Sequence, residues 1–245
     1  MTCTLYRPLI AAAAQGARES VELLTTLYTD VPDHVVRDFL LRRCPSPEAL
    51  FELVRAFRAA FAARAALDLV LAAPAPSMRE LLVHPETVSA ATLNHRDPYP
   101  LFQQAQQAQA QQHLPRIRLT RNVGMVLNEP GGLGATQAAL TAALLALQAK
   151  RNKLALYLRM HYLNEYHATA AAGAAEPRAE QDNADHCAAR AAQEAALARL
   201  DALCPPAVAS DERVLQTDAN VRRLMDDAMS PSALVSCPPS WHPWL

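Results

Sequence analysis

From Ala135 to Ala170 the chain runs 36 residues without a proline or a glycine, and half of that run is alanine and leucine. A strand is rarely longer than about ten residues, so the stretch predicts one long helix, roughly 50 Å at 1.5 Å per residue. Placed on a wheel at 100° per residue, Leu140, Leu144, Leu147, Leu154, Leu158 and Tyr162 share one face. Leu145, Leu156, Met160 and Leu163 lie nearly opposite. A helix apolar on two sides is sandwiched between neighbours, so this one is expected at the centre of the molecule. A narrow stripe separates the two faces: Ala139, Ala143 and Ala146, then Lys150, Lys153, Tyr157, His161 and Asn164. Its first half suits close helix approach, and its second half is polar or amphipathic.

The remainder of the chain predicts the same class. Alanine supplies 50 of the 245 residues and glycine only six. That combination favours helices and disfavours a turn-rich β architecture. Helices are expected over Pro8 to about Tyr28 and within DVPDHVVRDFLLRRC, residues 30–44, with Arg42 and Arg43 in the last turn. A third runs from Pro47 to about Ala73, with Ser46 as N-cap, Pro47 in the first turn and Glu48 at the positive helix end. Phe51, Phe57 and Phe61 make it a core element. Ser77 is expected to cap a short helix through Val83, with another in HPETVSAATL. Seven glutamines between Gln103 and Gln112 mark a solvated or edge helix. RIRLTR, residues 116 to 121, alternates basic and apolar residues as a short extended piece does. Four glycines in NVGMVLNEPGGLGAT read as a tight turn feeding the long helix; a backbone nest for an anion at that helix N-terminus is the functional alternative.

The expected architecture is therefore all-α: a multi-helix bundle around the long central helix, with a linker-tethered C-terminal helical arm and an extended tail. The boundaries read 1–168 for the helical body, 169–184 for a mobile linker, 185–229 for the arm and 230–245 for the Pro/Trp tail. The Ala-rich helix around residues 187–203 reads as a surface or partner helix, and Ser210 with Asp211 and Glu212 caps a last helix through Met229.

Several function classes find no support. A net charge of −1 gives no global basic field. Cys3, Cys44, Cys187, Cys204 and Cys237 are odd in number and without CxxC or metal spacing, which fits a reducing, intracellular compartment. His161 and Glu165 are four apart, but no closed ligand set accompanies them, and neither a metal nor a cofactor is expected. The phosphate-loop and nucleophile-elbow patterns are missing, and no enzyme is expected. No uninterrupted apolar run reaches the ~20 residues of a membrane span. Arginine, alanine and proline at the expense of lysine are what GC-rich coding produces, as in GC-rich bacteria and large DNA viruses.

Two contact readings remain. Both tryptophans, Trp241 and Trp244, fall in the last five residues, beside Pro239 and Pro243. Proline keeps such a segment extended, and tryptophan is a strong interface anchor. They point to a structural or assembly protein that binds protein partners, itself included, through helices and tail; a virion component, capsid-associated or tegument-like, is one concrete form. The alternative is nucleic-acid or anion binding through Arg116, Arg118 and Arg121 with Lys150, Lys153, Tyr157 and His161. Lys150 and Lys153 are the only lysines, against 21 arginines.

Overall fold

The computed structural model describes residues 22, 25, 32–72, 82–83, 90–91, 117, 119, 121–128, 132–173, 179–206 and 209–231. The fold is all-α. Its helices are α1 (Val35–Arg43), α2 (Pro47–Leu71), α3 (Arg121–Asn128), α4 (Gly132–Ala149), α5 (Arg151–Gly173), α6 (Ala179–Leu203) and α7 (Ser210–Met229). Two residue pairs, Leu82–Val83 and Ala90–Ala91, form a minimal antiparallel ladder with Leu82 opposite Ala91. Extended backbone thus stands where the sequence suggests helix. The helix expected over residues 8–28 lies outside the described residues except for Glu22 and Thr25, which are helical. The glutamine-rich segment and the tail, with Trp241, Trp244, Pro239 and Pro243, also lie outside them.

Helix α2 starts as its sequence dictates. The Ser46 side chain accepts a hydrogen bond from the Ala49 amide at 3.2 Å, and Pro47 occupies the first turn. Val54, Phe57, Ala62, Ala66, Leu69 and Val70 are buried along it, whereas Phe51 faces solvent and is no core residue. The reason is register: on the wheel Phe51 lies about 120° from Phe57, off the buried stripe. Helix α1 lacks a side-chain cap of its own. Buried Asn122 replaces it, accepting from the Val36 amide at 3.4 Å and donating to the Pro32 carbonyl at 3.2 Å.

Helix α3 was not foreseen, because Gly124 and the glycines after it read as a turn. Its Val123, Val126 and Leu127 are buried, and tertiary contact outweighs the local cost of glycine. The turn follows it. Gly132 adopts φ +74°, and the Asn128 side chain accepts from the Leu133 amide at 3.2 Å. An asparagine oxygen thus serves the helix N-terminus where an anion nest was the alternative.

The long central helix is two helices. They part at Lys150, whose amide donates to both the Ala146 and Leu147 carbonyls, at 3.2 and 3.1 Å. The joint coincides with a change of partners: α4 packs on α2 and α7, and α5 packs on α6. By length and composition α4 is the one described helix apolar enough to cross a membrane. It is also the helix that α2, α3, α6 and α7 all contact, and the core helix of a bundle passes the same test.

The C-terminal helices are not a peripheral arm. Helix α6 contributes buried Ala189, Ala196, Leu200 and Leu203, and α7 contributes Val221, Met225 and Ala228, to the same core as Leu140, Leu144 and Leu158. Alanine, expected to leave α6 without a core face, is what lets it lie close against α5. The linker expected over 169–184 is helical at both ends, since α5 continues to Gly173 and α6 begins at Ala179. Ser210 opens α7 as its first residue and does not cap it; Ala209 holds the cap position.

Candidate protein-contact surface

The arrangement begins at the Lys150 joint. The Asp201 carboxylate of α6 accepts two hydrogen bonds from Arg151, at 3.0 and 2.8 Å, and one from Gln148 at 3.1 Å. Hydrogen bonding to Arg151 comes first among the causes that hold the Asp201 carboxyl below its usual range, ahead of the opposing effect of burial. One acid therefore fixes the last turn of α4 and the first of α5 against α6. Farther along, Gln193 donates to the Ala155 carbonyl at 2.9 Å. Leu158 and Tyr162 are buried on this side, and burial pushes the Tyr162 phenol up.

With that side fixed on α6, the opposite side of α5 meets solvent. Leu156 is 59 % exposed, Tyr157 69 % and Met160 55 %. Lys150, Lys153 and Arg159 are exposed around them. One of the two apolar faces read from the wheel is thus covered; on the other, Leu145 packs against the core while Leu156 and Met160 are exposed. The sequence contains no acidic residue between Glu129 and Glu165. The resulting surface is apolar, cationic and free of acids over the described part of α5.

The residues singled out from sequence divide accordingly. Lys150, Lys153 and Tyr157 come together on the exposed side, and His161 is half-buried at its margin, its ring 5.7 Å from that of Tyr162. Arg121 is elsewhere, at the start of α3, 3.1 Å from Asp33. Arg116 and Arg118 lie outside the described residues, while Ile117 and Leu119 between and beyond them are buried. Leu156 and Met160 were missed because a wheel shows that a face is apolar and not whether a neighbour covers it.

Polar side chains also reach from helix to helix in the interior. Arg58 donates to the Leu127 carbonyl at 3.0 Å, Gln137 and Thr141 donate to Asp218, and Arg199 donates to the Val70 carbonyl. These bonds tie helix to helix. Among the described residues no group of three or more His, Cys, Asp or Glu is placed to hold a metal. The described cysteines, Cys44, Cys187 and Cys204, are free thiols. No protein-family model, curated protein or solved structure matches the chain.

Proposed function

We propose that this is a non-enzymatic assembly protein that acts through helix-mediated contacts, with the exposed α5 face as its main surface and the Trp241/Trp244 tail as a second. The observation that carries the reading is the cluster of Leu156, Tyr157 and Met160, each more than half exposed and adjacent on one helix. Large apolar side chains grouped on a surface mark interaction sites, whereas the same residues scattered singly do not. A capsid-associated or tegument-like protein is one form of this reading, supported by composition alone.

The test is a comparison of the full chain with a Leu156→Ser/Met160→Ser variant. Light scattering reads the mass of complexes, and cross-linking captures protein partners from the native source. The unaltered chain is expected in complexes heavier than its own 26.7 kDa, and the variant is expected as a monomer with an unchanged circular-dichroism spectrum. Equal complex formation by both proteins removes α5 from the proposal.

Nucleic-acid binding is the second reading, favoured by the acid-free stretch around Lys150 and Lys153. Arg121 contributes less to it, being paired with Asp33. Two lysines release few counterions, so affinity would be weak and its salt dependence shallow. Titration with single-stranded and duplex nucleic acid at two salt concentrations decides it, with Lys150→Ala/Lys153→Ala as control. No binding at low salt ends this reading.

A further inference from the structure

The α5 face cannot readily pair with its own copy. Two such faces brought together place Lys150, Lys153 and Arg159 against the same three cations, with no carboxylate on either side to offset them. Like charges across an interface work against the wrong partner, while apolar contact supplies the affinity. The counter-surface must therefore be apolar and acidic.

The chain carries such a surface at the start of α7. Leu215 is 71 % exposed, and Val214 beside it is 44 % exposed. On the wheel Asp211 and Glu212 precede Leu215 by about one turn, and Asp218 follows it by another. Asp211 and Glu212 are exposed. A shallow groove of about 300 Å³ continues along this side, lined by Leu215, Asp218, Ala219, Arg222, Arg223 and Asp226. The two most exposed large apolar side chains among the described residues, Tyr157 and Leu215, thus stand one turn from opposite charges, Lys153 on α5 and Asp211 with Glu212 on α7. They also lie on helices with different main partners, α6 for α5 and α4 for α7.

We infer that the chain self-associates head to tail, the α5 face of one copy docking on the α7 face of the next. Tyr157 and Leu156 pack against Leu215 and Val214, and Lys150 and Lys153 face Asp211 and Glu212. The spacing agrees on both sides: Lys153 and Tyr157 are four residues apart, as are Asp211 and Leu215. A contact between two different patches does not close on itself in a pair, so it produces a ring or an open chain of copies. This rests on the assembly reading above and names its partner as a second copy.

Two disabled variants of the full chain test it. One carries Lys153→Ser and Tyr157→Ser on α5; the other carries Asp211→Ser and Leu215→Ser on α7. All four positions are exposed, so circular dichroism is expected to match the unaltered protein. In sedimentation velocity at low salt, up to about 100 μM to reveal a micromolar Kd, the unaltered chain is expected to grow in mass with concentration. Each variant alone is expected to remain a monomer. Their equimolar mixture is expected to form a one-to-one dimer and nothing larger, because each supplies the face the other lacks. A mixture that stays monomeric while the unaltered chain assembles overturns the head-to-tail pairing. So does an α7 variant that assembles as well as the unaltered chain; loss of assembly in the α5 variant alone would then leave the broader reading standing with another counter-surface. An unaltered chain that is monomeric throughout overturns the inference, and if it then binds anionic vesicles or nucleic acid through Lys153 and Tyr157, the α5 face belongs to that partner.

Discussion

Asp201 is the side chain on which the orientation of α5 depends. It takes three hydrogen bonds from two helical segments, and Arg151 holds its carboxyl below the usual range. A carboxyl depressed in the folded state stabilises above its unfolded pKa and stops doing so as pH falls through the folded value. Asp201→Asn is expected to cost about 1–2 kcal/mol near neutral pH, at the low end because the pair is partly exposed and screened. The difference from the unaltered protein should shrink below about pH 4 and vanish in stronger acid. Urea unfolding at several pH values measures it, and a pH-independent difference would reject the ionic account. At the other end of the core, Ser46→Ala removes the α2 cap and is expected to cost ~1 kcal/mol, read as a lower urea midpoint.

At the scale of the element, alanine is a packing residue in this protein. Ala62, Ala66, Ala189, Ala196 and Ala228 are all at or near zero exposure, so helices approach closely where these side chains meet. Ala196→Leu is therefore expected to destabilise by about 1–3 kcal/mol through overpacking, whereas Ala198→Leu, two residues on and exposed, is expected to change little. Thermal melts of the two variants separate a packing role from simple helix propensity, which leucine satisfies nearly as well as alanine. The break at Lys150 belongs to this scale too. Nothing in the sequence there resembles a proline or glycine kink, and the joint follows from α4 and α5 having different partners.

For the whole molecule the C-terminal helices decide how much unfolds together. Val221 and Met225 of α7 share a core with Leu140 and Leu144 of α4. Met225→Ala is expected to cost ~2–5 kcal/mol and to lower the midpoint of a single transition by circular dichroism and by fluorescence alike. An arm held only by a linker would give an early transition of its own and leave the main one in place. The proposed assembly belongs to the same scale: the exposed side of α5 and the acidic start of α7 are far apart in sequence, and the proposed pairing joins them only between copies.

Composition and punctuation determined the class of this protein and much of its segmentation. Few glycines, many alanines, the Ser46-Pro47-Glu48 start and the breaker-free run from Ala135 onward all act through the local backbone, and local rules are written residue by residue. Tertiary structure decided the rest. It made a helix of the glycine-containing stretch at α3, drew α6 and α7 into the core, divided the long helix at Lys150, and covered Leu158 while leaving Leu156 in solvent. A pattern of apolar residues states which faces are able to be buried. Which of them are buried depends on the competition among all helices for the same contacts, and that competition is settled only when the chain is packed.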